Sequence, residues 1–124
     1  MNNLILVIIG SALGGGVRYW LSNAVYRYFP ISFPYGTLIV NFLGSLLLGI
    51  VIFFLSDREI INTQIRFFLT LGFCGGFTTF STFSLETFNL LRDSQYFFAM
   101  MNVLSNVFLC LLGIILAYIF SKMI

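Results

Sequence analysis

GFCGGFTTFSTFSLE, Gly72 to Glu86, sets a Gly-Gly pair and a run of Thr and Ser inside what its flanks mark as a membrane span. In hydrocarbon every backbone N–H and C=O must find a partner, so irregular backbone at membrane depth survives only where protein or a polar cavity satisfies it. Gly75-Gly76 followed by Phe77-Thr78-Thr79 predicts such a break, within residues 75–79. A half-helix ending there would present free carbonyls to a cation. A half-helix starting near Phe80 would present free amides and a positive dipole end to an anion.

The surroundings are those of a membrane protein. Of 124 residues, 60% are hydrophobic and 8% charged, with a mean hydropathy of +1.04, far from the roughly one-quarter charged content of soluble domains. A net charge of +2 is too small for a nucleic-acid surface or a polybasic lipid anchor, so no nucleic-acid partner is implied. The N-terminal MNNLILVIIGSALGGG lacks a basic n-region and runs into further apolar sequence, which predicts a retained first span. Cys74 and Cys110 lie in apolar segments without a His or second Cys at metal spacing, and read as small buried thiols.

A span takes about 20 mostly apolar residues. Four segments qualify, at about 4–25, 36–55, 66–91 and 96–120, giving a single all-α transmembrane domain over 1–124 with its third helix broken. The loops between them are a Pro- and aromatic-containing segment (YRYFPISFPY), a charged one (SDREIINTQ) and a short turn at Arg92-Asp93-Ser94. Tyr26, Tyr28, Tyr35 and Tyr96 fall at span ends, where amphipathic rings favour the headgroup zone. With four spans, one side carries Arg58, Arg66 and Lys122 and the other Arg27 and Arg92. This near balance fits insertion in both orientations and a dimer of opposed copies; it fits equally a single orientation with a weak bias. Four helices fill their own axis with side chains, so a polar pathway calls for an oligomer. Gly10 and Gly14 make a GxxxG step and Ser45 and Gly49 a small-xxx-small step, which mark close helix contacts without naming the partner.

Polar residues recur at helical spacing inside the spans. Thr37, Asn41, Gly44, Ser45 and Leu48 share a face of the second; Asn102, Asn106 and Cys110 repeat at i, i+4, i+8 in the fourth. Each stripe reads either as interhelical hydrogen bonding, worth roughly 0.6–2 kcal/mol per contact, or as the wall of a polar pathway. Arg18 and Glu86 are the ionisable residues within spans. Such groups are expensive in lipid and face the interior, a partner or water. Arg18 reads as an anion attractor at a pore mouth, or as a structural residue paired with Glu86 or with carbonyls. No Asp or Glu precedes Asp57, against the first-span carboxylate expected of a small proton-coupled drug exporter. There is no His to activate a Ser, no GxSxG elbow and no phosphate-binding loop, which argues against an enzyme.

After the break, Phe80 and Phe83 lie on one helix face, interleaved with Ser81, Thr82 and Ser84. Ring edges carry the positive part of the aromatic quadrupole. Edges, hydroxyls and an Asn amide could cradle a small anion without a full charge that would trap it, and conduction needs such binding.

Over its whole length the chain resembles the Fluc (CrcB-type) bacterial fluoride channels, on GSALGGGVRYW (Gly10–Trp20), GTLIVNFLGSLLLG (Gly36–Gly49) and above all GFCGGFTTFSTFSLE. The resemblance implies an antiparallel, dual-topology homodimer in the bacterial plasma membrane, with two pores each built from both subunits. It implies that Phe80 and Phe83 line the fluoride path, with Asn41 as amide donor, Ser81 and Thr82 as nearby hydroxyls, and Thr37 on the same track. It implies a structural sodium ion at the dimer centre on the main-chain carbonyls of Gly75 and Thr78. A fourth-span polar track falls on Asn106 and Cys110, with Asn102, where hydroxyl residues are usual. Passive F⁻ export is the implied activity. The rivals are a small multidrug-type antiporter and a non-transporting assembly subunit whose glycines and asparagines only pack helices.

Overall fold

The computed structural model describes residues 2–124. All regular structure among them is helical: α1 (Asn3–Val25), α2 (Tyr35–Gly49), α3 (63–77), α4 (Phe80–Arg92) and α5 (Tyr96–Met123). Two stretches are wound more loosely, with π-type i→i−5 bonding. They are Ile50–Ser56, which prolongs α2, and Phe68–Cys74, the middle of α3. Among the described residues four segments are long and apolar enough to cross a membrane: Asn3–Val25, Tyr35–Ser56, Thr63–Arg92 and Tyr96–Met123. The third is α3 and α4 in series.

Local chemistry sets the helix ends. Asn2 caps α1 by accepting from the Leu4 amide (2.7 Å), and Asn62 caps α3 by accepting from Ile65 (2.8 Å), each satisfying an amide that has no intrahelical partner. The reversal from α4 to α5 needs only Asp93, Ser94 and Gln95, because Ser94 adopts φ 62 while its amide and that of Gln95 bond back to Leu91 and Leu90.

α1 lies along α3, and α2 lies along α5. The GxxxG step finds its partner within the chain: a Cβ on Gly10 would sit 2.5 Å from the Phe68 carbonyl, and one on Gly14 would overlap the Phe73 carbonyl. Gly76 rests in the same way on the backbone of Ser11, so α1 and α3 approach backbone to backbone. On the other pair, Gly49 of α2 faces Ala117, 2.6 Å from an added Cβ. The buried apolar set is small, with Val40, Val51, Cys74, Phe77, Ala99 and Ala117 at its centre. Most large apolar side chains point outward, where a bilayer rather than water is the solvent.

The third span is broken within the expected 75–79, at its threonines and not at the glycine pair. Gly75 has helical dihedrals (φ −62, ψ −39), and no glycine takes a positive φ among the described residues. Gly76 serves the contact with α1 instead. Extended backbone begins two residues later, at Thr78 (φ −89, ψ 159) and Thr79 (φ −149, ψ 118). β-branched residues adopt that region readily, and both have polar partners to satisfy the freed backbone.

Candidate functional site

The break is built from hydroxyls and one asparagine. Thr78 closes the last turn of α3, its amide and its Oγ1 both donating to the Cys74 carbonyl at 3.0 and 2.9 Å. The Thr79 amide would have continued the helix onto the Gly75 carbonyl, but donates to Asn41 Oδ1 of α2 (2.8 Å). Asn41 Nδ2 returns a bond to the Thr79 carbonyl (3.2 Å), so one carboxamide satisfies both polar groups of Thr79. The Thr79 hydroxyl accepts from the Thr82 amide (3.1 Å) and donates to Thr82 Oγ1 (3.0 Å), capping α4. Helix α4 therefore starts at Phe80.

A cavity of about 460 Å³ opens beside this break. Asn41, Gly44 and Ser45 line it from α2, Cys74 and Gly75 from α3, Thr78 and Thr79 from the break, Phe80 and Phe83 from α4, and Asn106 and Cys110 from α5. The two rings lie with centroids 5.4 Å apart at 52°, and Phe80 is 74% exposed on the chain's surface. Residues 5–118 match the family model described as CrcB-like protein, Camphor Resistance (CrcB).

The chain belongs to the CrcB family. It is 49% identical over 112 residues, 90% of each chain, to the fluoride-specific ion channel FluC of Coxiella burnetii strain CbuK_Q154. It is 49% identical over 111 residues to the protein of the same name in Geobacter sp. strain M21, again over 90% of each. With that of Magnetococcus marinus it shares 42% over 118 residues, 95% of this chain and 96% of the other. These relatives are channels, not enzymes, and the chain is accordingly a non-catalytic, multi-pass protein of the bacterial inner membrane.

In this CrcB chain the expected site residues fall into two groups. Asn41, Phe80, Phe83, Asn106, Cys110, Gly75 and Thr78 meet around one cavity; Thr37, Ser81, Thr82 and Arg18 do not line it. Thr82 is taken up by the cap, and Ser81 lies exposed with Oγ 3.4 Å from Thr79 Oγ1. The Thr37 hydroxyl donates to Glu86 Oε1, which binds α2 to α4 on the side of the 26–34 loop. Arg18 Nε donates to the Gly76 carbonyl (3.0 Å), a carbonyl partner of the kind its structural reading expects, and it forms no ion pair with Glu86.

Asn41 also differs from a free donor. Its second Nδ2 proton goes to Asn106 Oδ1 (3.1 Å), so both protons are committed within the protein. Asn106 in turn donates to the carbonyl and Oδ1 of Asn102 (2.9 and 3.0 Å), and Asn102 donates to Thr87 Oγ1 (2.9 Å). Asn102 is 0% exposed and Asn106 5%. Among the described residues no buried side-chain polar atom lacks a partner, as a low-dielectric interior demands.

Sequence reasoning passed over Thr79 and Thr87. Thr79 carried a usable signal, since Thr is a favoured N-cap, but TTFST offers several hydroxyls and the preference does not choose among them. Thr87 carried none: its partner Asn102 lies across a turn, and only the packed helices bring them together.

Proposed function

We propose that this protein is a passive, fluoride-selective channel that lets F⁻ leave the cytoplasm and so confers fluoride resistance. The observation carrying this is the cavity at the Thr78–Thr79 break, which Phe80 and Phe83 line together with a small-residue wall on α2 and Asn106 and Cys110 of α5. The relatives' printed name, fluoride-specific ion channel, supports the same substrate. HF that diffuses in dissociates at the higher cytoplasmic pH, and the inside-negative potential drives F⁻ out. Selectivity follows from a narrow path whose donors and ring edges suit a small, strongly hydrated anion, binding it firmly enough to offset lost water yet releasing it.

In this proposal the working unit is an antiparallel homodimer with two pores. One chain leaves the cavity open on its surface with Phe80 largely uncovered, and an opposed copy would close it. A sodium ion at the dimer centre belongs to the same proposal. Because the Thr79 amide is diverted to Asn41, the Gly75 carbonyl loses its helical partner, and the extended Thr78 carries its carbonyl out of the helix direction. Neutral main-chain oxygens are hard ligands suited to an alkali cation.

Purified protein in liposomes loaded with fluoride tests this. With potassium and its ionophore carrying the compensating charge, the channel discharges the fluoride gradient without any proton gradient. Discharge only when protons flow the other way would identify an antiporter. No discharge from a folded, reconstituted dimer would leave the assembly-subunit reading.

A further inference from the structure

The hydrogen bonds that leave the break run in one direction. The Thr79 amide donates to Asn41 Oδ1, Asn41 Nδ2 to Asn106 Oδ1, Asn106 Nδ2 to Asn102 Oδ1, Asn102 Nδ2 to Thr87 Oγ1, and Thr87 Oγ1 to the Phe83 carbonyl at 2.8 Å. The chain thus begins on the backbone immediately before Phe80 and ends on the backbone of Phe83, after passing through α2 and one turn of α5. Its three carboxamides are buried and point head to tail, an order in which each bond polarises the next.

We propose that Asn102, Asn106 and Thr87 are positioning residues: they fix the turn that presents Phe80 and Phe83 to the cavity, acting through Asn41 at one end and the Phe83 carbonyl at the other. The role of this turn in selecting the anion rests on the channel function proposed above; the coupling along the chain does not. Neither Asn102 nor Thr87 lines the cavity, so an effect of either on anion selection has to be transmitted. The carboxamides suit this relay because each both accepts and donates along one line, whereas a hydroxyl at position 106 is too short to span from Asn41 to Asn102 with the same two contacts. Interruption anywhere leaves a buried group without its partner, and the cheapest relief is a shift of the exposed α4 turn.

The test measures amide exchange at Thr79 by NMR in the detergent-solubilised protein, beside fluoride and chloride flux in liposomes. Thr87→Val, near-isosteric and remote from Thr79, removes the bond to Phe83 and the acceptor for Asn102. We expect exchange at Thr79 to quicken about fivefold, with fluoride-over-chloride preference reduced, and Thr87→Ser to restore both. Asn106→Leu, should it fold, gives the larger exchange effect; Asn102→Ala reports on the same link if it does not. Unchanged Thr79 exchange in a folded Thr87→Val protein overturns the chain. Altered exchange with unchanged anion preference overturns its functional role and leaves it as packing. Absence of fluoride flux from the unmodified protein would instead sink the channel function, with the exchange result still deciding the coupling.

Discussion

At the scale of the residue, the site separates atoms that are spent from atoms that are free. Asn41, the natural candidate for an anion's amide donor, uses both Nδ2 protons and its Oδ1 within the protein. Phe80, by contrast, projects into the cavity and outward at 74% exposure, with little to do for the stability of a single chain. Phe80→Ile therefore leaves the thermal unfolding of the detergent-solubilised protein within a degree or two of the parent while lowering fluoride efflux roughly tenfold or more, by removing the ring edge. Loss of assembly in step with loss of flux would make Phe80 a packing residue. Thr79→Val acts differently, because it removes the α4 cap and strands the Thr82 amide. It costs about 1 kcal/mol of stability, measured as a lower unfolding midpoint.

At the scale of the element, small residues decide which helices touch. Gly14 and Gly76 hold α1 and α3 backbone to backbone, whereas nothing lies within 4 Å of a Cβ on Gly16. Gly14→Ala forces α1 away from Phe73 and destabilises by about 1–3 kcal/mol. Gly16→Ala, in open space on the same helix, stabilises by about 0.5–1 kcal/mol through its better helix propensity. Thermal unfolding of the two variants checks the pair, and similar losses in both would deny the close approach. The same contacts explain what was legible beforehand. Hydropathy and length marked the spans, because lipid permits few alternatives to a helix of about 20 apolar residues. The GxxxG step was visible, but spacing carries no address, so its partner was not. The break lies within the expected 75–79, but which of those residues carries it was not legible; the chain uses Gly76 for packing and breaks at Thr78, bonded back to Cys74, and Thr79, satisfied from α2. That satisfaction is a tertiary contact across 38 residues, beyond the reach of local pattern.

At the scale of the whole molecule, the proposed working unit is two opposed chains. The cavity opens on the surface of one chain, with Asn106 and Cys110 in its wall, and the proposed partner is an opposed second copy. Phe80 with Phe83, and Asn106 with Cys110, were each legible as a pair from helical spacing, since residues three or four apart share a face; only the family resemblance joined the two pairs, and the fold sets both on one cavity. Arg18 was ambiguous for the opposite reason: a single charge in a span needs a partner, and only the fold could supply the Gly76 carbonyl. If Gly75 and Thr78 hold sodium between copies, exchanging sodium for a bulky organic cation lowers the dimer's thermal midpoint and raises its dissociation on size-exclusion. Indifference to sodium would remove the ion from the account.

The central claim is that the cavity conducts fluoride unaided. The most direct measurement is the reversal potential of the reconstituted protein in a planar bilayer with a roughly tenfold fluoride gradient, symmetric pH and chloride on both sides. A passive fluoride pathway predicts reversal near the fluoride equilibrium value, about 59 mV in magnitude for one charge, unmoved by a change in chloride. Reversal near zero, or one that follows an imposed proton gradient, would contradict it.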